Sequence, residues 1–243
     1  LIDKDTVDAI LSEGAKLTAE AIAPLNRNSD EQGATWANGE VTTPDGFNKA
    51  YQLYCDGGWG ALSGDPEYGG MGMPKMLQSF VEEMTQSASI SFALYPMLTA
   101  GASLALSAHA STEMKQTYLE NMYSGKWAGT MCLTEPHAGS DLGIMSAKAE
   151  AQDDGSFALS GTKIFITGGE QDLTENIIHL VLAKIPGAPE GPRGISMFVV
   201  PKFLLNDDGS LGVRNTVTCG SIEHKMGIKG SATCVMNFDS AKG

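Results

Sequence analysis

The sequence predicts an α+β chain: an all-α N-terminal domain over residues 1–125, then an all-β sandwich or barrel domain over residues 126–243. Three observations carry that reading. Apolar residues recur at helical spacing as far as residue 123, the period of an amphipathic helix. The pattern changes at Ser124-Gly125-Lys126. Beyond that point come short alternating runs separated by Gly-, Asp- and Pro-rich turns, the pattern of a sandwich or small barrel.

Within the first half, residues 5–25 place Val7, Ile10, Leu11, Leu17, Ala21 and Ile22 close to one helical face, and Pro24 marks a stop. Residues 26–44 read as a polar loop, followed by a short helix over 45–55 and a Gly/Pro-rich loop over 57–74. Pro74 is placed to start a helix. Further helices are expected over 74–87, 90–108 and 111–123, the last with Ser111 as N-cap. The apolar run 90–108 approaches a membrane span in length. Its serines, Thr99, Gly101 and Pro96, and the lack of basic flanks, favour a buried helix of a soluble bundle over a membrane span.

In the second half, strands are expected over 127–133, 146–151, 157–167, 177–183, 196–200, 212–218 and 233–238. The turns between them include Asp153-Asp154-Gly155-Ser156, Asp207-Asp208-Gly209-Ser210 and residues 186–194. No repeat or low-complexity tract interrupts the 243 residues.

A formal net charge of −13 disfavours nucleic acid and anionic membrane as partners. Any anionic ligand must therefore be held by local N–H groups, hydroxyls and a few cations. Cys55, Cys132, Cys219 and Cys234 are scattered without CxxC spacing, so structural zinc is not expected and reduced thiols in a cytoplasmic protein are. His109, His137, His179 and His224 show no ligand spacing, and no metal site is expected. No signal peptide is visible, and neither Leu1 nor the final Ala241-Lys242-Gly243 reads as a natural terminus.

Two segments carry the chemistry: CLTEPHAGSD at residues 132–141 and GTKIFIT at residues 161–167. In the first, Gly139 lets backbone approach a ligand closely and Ser140 adds a hydroxyl suited to a pyrophosphate. In the second, strand alternation puts Phe165 and Thr167 on one face and Ile164 and Ile166 on the other. A flat stacking group beside a hydrogen-bond partner suits an isoalloxazine ring. Glu135, Asp141, Glu170 and Asp172 read as solvated loop acids without catalytic roles. Lys225, Lys229 and Ser231 read as a solvated hairpin rather than contacts to CoA phosphates. The run Gly69-Gly70-Met71-Gly72 lacks the spacing and strand context of a dinucleotide fingerprint.

The two segments resemble the flavin-binding signature of the acyl-CoA dehydrogenases. Residues 59–73 (WGALSGDPEYGGMGM), 172–183 (DLTENIIHLVLA) and 221–239 (SIEHKMGIKGSATCVMNFD) resemble its long-chain-like bacterial branch, which includes the 3-methylmercaptopropionyl-CoA dehydrogenases. The resemblance implies the N-terminal and middle domains of that fold, with the family's C-terminal helical domain falling beyond residue 243. It implies FAD as cofactor, an acyl-CoA substrate converted to trans-2-enoyl-CoA with hydride transfer to flavin N5, and an electron-transfer flavoprotein as acceptor. It also implies a homo-oligomer at full length.

By the same resemblance, Met131 and Leu133 lie near the flavin ring through their backbone, and Thr134 meets its pyrimidine end. Gly139 and Ser140 meet the pyrophosphate, Phe165 packs on the ring, and Thr167 donates toward N5. The family often has Tyr or Phe where Met131 stands, and most often Trp where Phe165 stands. The loop at residues 69–72 either shapes the active-site region or is a flexible connector. The catalytic carboxylate of the family lies in its C-terminal domain, so no catalytic residue is expected here; the piece alone is expected to be inactive and to bind FAD poorly. An acyl-CoA oxidase or flavin monooxygenase of the same fold, and a non-catalytic flavin- or DNA-associated member, are the alternatives. Long, branched and methylthio-propionyl chains all stay open as the acyl group.

Overall fold

The structure is a computed structural model that describes residues 2–243. Helix α1 (Lys4–Leu17) opens on Asp3, whose carboxylate accepts from the Thr6 N–H at 2.7 Å. The chain does not stop at Pro24. It passes through a π turn (Thr18–Ile22) and a 3-10 turn (Ala23–Leu25) into helix α2 (Asn26–Gln32). Proline lacks the N–H that a continuous ladder needs, so the ladder changes its spacing and then resumes. The expected polar loop therefore begins as helix.

The remainder of that loop contains a hairpin, β1 (Thr35–Ala37) and β2 (Glu40–Thr42), which turns at Asn38-Gly39. Both turn residues have left-handed φ, 53° and 86°, as an Asn-Gly hairpin turn requires. The hairpin joins the second half of the chain. Trp36 Nε1 donates to the Cys219 carbonyl at 3.0 Å, and Val41 is buried among residues of the β domain.

Helices α3 (Phe47–Asp56), α4 (Lys75–Ala88), α5 (Ile90–His109) and α6 (Thr112–Tyr123) complete the helical half. Its core gathers Phe47, Tyr51, Tyr54, Leu77, Val81, Phe92 and Tyr95, with Phe47 edge-on to Phe92 at 5.5 Å. The loop between α3 and α4 is tied down rather than free. Met71 N–H bonds to the Ala61 carbonyl, Gly72 to Gly64 and Met73 to Leu62.

Helix α5 is long and apolar enough to cross a membrane by length and composition, yet half of its apolar window is buried inside the fold. Two of its hydroxyls bond within the helix: Thr99 Oγ1 donates to the Tyr95 carbonyl at 3.2 Å and Ser103 Oγ to that of Thr99 at 2.8 Å. It lies against strand β3 (Trp127–Cys132). The contact is at Gly129, whose N–H donates to Thr99 Oγ1 at 3.1 Å. A Cβ at that position would sit 2.4 Å from Ala102 Cβ and 2.8 Å from Met122 Cε. The close approach exists because residue 129 has no side chain.

The β domain continues with β4 (Lys148–Ala151), β5 (Phe157–Thr167), β6 (Asn176–Lys184), β7 (Ile195–Pro201), β8 (Phe203–Leu205), β9 (Leu211–Arg214), β10 (Val217–Ile222) and β11 (Thr233–Lys242). Seven of its strands form a curled sheet in the order β10-β11-β5-β4-β6-β3, with β7 pairing β6 as well. β3 and β6 run parallel, and β8 with β9 forms a separate hairpin. The single strand expected over 212–218 is two strands in two sheets. Asn215 divides them: its Nδ2 donates to the carbonyls of Pro201 and Lys242, and its Oδ1 accepts from the N–H groups of Thr216 and Lys242. That side chain supplies the bonds that a continuous ladder would have supplied.

Gly129→Val is expected to lower the unfolding free energy by about 1–3 kcal/mol through overpacking at the α5–β3 contact. Gly101→Ala, at a helical position with nothing within 4 Å, is expected to raise it by up to about 1 kcal/mol. Urea midpoints of the two variants check both signs.

Candidate functional site

Strand β3 ends at the buried Cys132 and runs into the half-buried Leu133 and Thr134. Glu135 and Ala138 then exchange both main-chain bonds, at 2.9 and 3.1 Å, closing a turn over Pro136 and His137. Gly139 and Ser140 follow on the surface, and Asp141 caps a short 3-10 turn by accepting from Gly143 N–H at 2.9 Å. Gly139 is informative. Its φ is not left-handed, and an added Cβ would meet only Thr134 Cγ2, at 3.6 Å. Neither backbone nor packing demands glycine there, whereas a ligand laid across the turn would.

The second segment departs from simple alternation. Along the β5–β11 ladder Met236 pairs with Lys163, and Cys234 pairs with Ile166. Three steps on β5 thus face two on β11, the signature of a bulge. Phe165 holds the extra position in the left-handed region, φ 60°. As a result Lys163 and Ile166 are both buried, Ile164 is only half-buried, and Phe165 is 58% exposed. The expected sharing of one face by Ile164 and Ile166 is therefore corrected: the bulge flips the phase between Lys163 and Ile166.

The bulge and the turn are joined. Ile164 N–H donates to the Thr134 carbonyl at 2.8 Å, setting the exposed Phe165 alongside Leu133 and Thr134. Met131 is exposed on β3, and Thr167 is half-buried two residues past the bulge, paired with Thr233. Gly139 and Ser140 lie beyond the far side of the turn. The structure thus joins the Thr134 main chain to Ile164, the neighbour of Phe165, with Met131 on β3 and Thr167 at the end of β5.

Two of the acids taken as solvated are not. Glu135 is 2% exposed, and its carboxylate accepts from Lys163 Nζ at 2.9 Å, Ala147 N–H at 2.9 Å, and Ser146 N–H and Oγ at 2.7 and 2.8 Å. Burial alone would raise its pKa, but the Lys163 ammonium and these donors outweigh burial and hold the carboxyl below the usual range. Lys163, fully buried, is shifted down by burial, with Glu135 opposing. Glu170 is likewise buried, between Lys202 and Arg214, the latter at 3.0 Å. Asp141 and Asp172 are exposed, and Asp172 accepts from the Thr43 N–H and hydroxyl at 3.1 and 2.6 Å. Ser231 is buried rather than solvated, and Lys225 donates to its carbonyl and to Thr233 Oγ1. Sequence reasoning missed the Glu135–Lys163 pair. Its signal was a lysine on the same inward face as Leu159, where a cation requires a partner.

Beside β3, on the paired strand β6, His179 is fully buried with Nδ1 2.7 Å from Thr130 Oγ1 and 3.8 Å from Cys132 Sγ. Its Nε2 has no partner among the described residues. Burial, reinforced by Lys202 and Arg214, pushes its pKa down from 6.5 to about 3. Burial also pushes the Cys132 thiol up to about 12, so the cluster holds no thiolate nucleophile at neutral pH.

A helical domain docked on a curled sheet, with an exposed ring on a bulge bonded to the start of a glycine-containing turn, defines a two-domain α+β class. Comparison with protein families matches residues 5–126 to the acyl-CoA dehydrogenase N-terminal domain and residues 130–241 to the acyl-CoA dehydrogenase middle domain. The chain belongs to the acyl-CoA dehydrogenase family.

It is 50% identical over 242 residues to the 3-methylmercaptopropionyl-CoA dehydrogenase of Ruegeria pomeroyi, covering 100% of this chain and 41% of that protein. It is 42% identical to a butyryl-CoA dehydrogenase of Syntrophomonas wolfei, covering 96% of this chain and 39% of that protein. The chain therefore spans about two fifths of the length of these relatives. Among solved structures, an acyl-CoA dehydrogenase from Bacillus anthracis complexed with FAD superposes with a TM-score of 0.78 at 23% identity, covering 99% of this chain and 36% of that one. Butyryl-CoA dehydrogenase from Megasphaera elsdenii does so at 0.76 and 23%, covering 100% of this chain and 57% of that one. These likenesses show the fold: an N-terminal helical domain followed by a curled β domain.

The His179 environment has a pH consequence. Below about pH 6.5 the unfolded chain binds a proton that the folded chain refuses until about 3, so stability falls as pH drops through that window. The stability advantage of the parent over His179→Leu is expected to shrink between about pH 7 and about pH 5, as read from paired thermal melts.

Proposed function

We propose that this chain is the flavin-holding part of an FAD-dependent acyl-CoA dehydrogenase. The observation that carries the reading is Phe165. A bulge holds a large apolar ring in the left-handed region with more than half of it exposed. A β-region conformation is open to any side chain, whereas this one costs about 1–2 kcal/mol per residue. Strain retained at an exposed ring, next to a residue bonded to the start of the glycine-containing turn, points to a ligand.

In this reading the ring of Phe165 covers one face of the isoalloxazine. The Leu133 main chain and Thr134 meet its pyrimidine end, with Met131 flanking the ring on β3. The Thr167 hydroxyl donates toward N5, and Ser140 over the open Gly139 meets the pyrophosphate. A donor fixed where negative charge develops stabilises reduction without reorganising during the reaction. Bound flavin would supply the hydride acceptor for α,β-dehydrogenation of an acyl-CoA thioester to trans-2-enoyl-CoA. The carboxylates of the site are otherwise engaged: Glu135 and Glu170 sit in buried ion pairs, and Asp141 and Asp172 bond to main chain. We therefore place the base for α-proton abstraction outside residues 1–243. An electron-transfer flavoprotein is the acceptor that accompanies this reading.

Saturable quenching of FAD fluorescence is the expected result for the longest natural form of the protein, and Thr167→Ala is expected to weaken it by about 1 kcal/mol, one hydrogen bond's worth. A flat titration would sink the reading. Phe165→Gly relieves the positive φ, so its unfolding midpoint is expected to be no lower than the parent's while its FAD affinity drops. A variant that loses stability and keeps affinity would show that Phe165 serves the fold instead.

A further inference from the structure

We propose that Lys163, held buried by its ion pair with Glu135, is the positioning residue of the cofactor turn. It fixes the main chain on both sides of Thr134 from behind, so that the front of the turn receives flavin without rearranging; this rests on the flavin reading above. Lys163 Nζ donates to the Leu133 carbonyl at 3.1 Å as well as to Glu135. The Thr134 carbonyl is held by Ile164 N–H. Both carbonyls that flank Thr134 are thereby fixed by consecutive residues of β5. The Glu135 carboxylate reaches the other way, to Ser146 and Ala147, just ahead of β4. One ion pair therefore clamps three segments: the end of β3, the bulged part of β5 and the approach to β4.

Stability alone is a poor reason for such a pair. Removing two charges from water costs free energy that an apolar pair of equal volume avoids. What an apolar pair cannot provide is direction: a donor aimed at the Leu133 carbonyl and two acceptors for the N–H groups of Ser146 and Ala147. The pair also cancels its own charge, so an anionic ligand over Gly139 and Ser140 meets no uncompensated carboxylate from beneath. Two further titratable groups face the pair: His137, 3.6 Å from the carboxylate on the exposed side of the turn, and the buried Cys132 thiol on the Lys163 side.

The test separates positioning from stability with Lys163→Met, Glu135→Gln and the double variant, in the longest natural form of the protein. Urea unfolding is read beside FAD affinity and the absorption band shape of bound flavin. Lys163→Met leaves a lone buried carboxylate and is expected to lose both stability and affinity. The double variant removes that charge, so stability recovers toward the parent. Its FAD affinity is expected to stay about tenfold weaker, with an altered flavin band, because the Leu133 carbonyl has lost a charge-assisted donor.

Glu135→Gln keeps the Lys163–Leu133 bond and deprives Ser146 N–H of its acceptor. It is expected to lose stability while binding FAD nearly as the parent does, and it serves as the second measure if the double variant does not fold. Parental affinity and band shape in the double variant, or a loss in Glu135→Gln as large as in Lys163→Met, overturns the positioning role. Absence of flavin binding by the parent overturns the flavin reading, and this inference with it.

Discussion

Between Lys163 and Ile166 strand β5 carries three steps where its partner β11 carries two, and the arrangement of the site follows from that mismatch. With an unbroken ladder Lys163, Phe165 and Thr167 would share one face, and the ring would enter the core beside the ammonium. The bulge turns Phe165 outward and returns Ile166 to the core. It leaves Lys163 inside, where it meets Glu135. The exposed ring is thus the result of a register shift that begins just past the buried Lys163, and the Ile164–Thr134 bond places ring and ion pair against the same turn.

The helical half contributes a second constraint. Helix α5 approaches β3 over Gly129 closely enough that the Thr99 hydroxyl bonds to sheet backbone. This contact seats the helices against the strand whose end becomes the turn. The Asn38-Gly39 hairpin makes a further bond across the halves through Trp36, and Arg214 joins Glu40 on that hairpin to the buried Glu170. The two halves are knitted by chain segments that a linear division at residue 125 assigns to one side only.

The acidic excess and the buried acids obey different physics. Most carboxylates are solvated and set the net charge, which governs encounter and solubility. Glu135 and Glu170 are inside because each has a cation and main-chain donors within bonding distance. Both residues lie in polar stretches that resemble any exposed loop, so their burial depends on strands that are distant in the chain.

Helices and strands were legible because burial on one face imposes a period on the residues themselves, as at Val7, Ile10, Leu11 and Leu17 of α1, whereas residues 90–108 were legible by their apolar length. The two segments that resemble the family's flavin-binding signature stood out for a similar reason: a glycine turn followed by a strand with a ring and a hydroxyl is local chemistry. Helix α2, behind Pro24, and the Asn38-Gly39 hairpin were both read as polar loop, although Asn-Gly is itself a hairpin signal. The break at Asn215, the bulge at Phe165 and the partnership of Glu135 with Lys163 were decided only by tertiary structure. In each case the deciding hydrogen bond or register step joins residues far apart in the chain, and no local period records which partner a residue will meet.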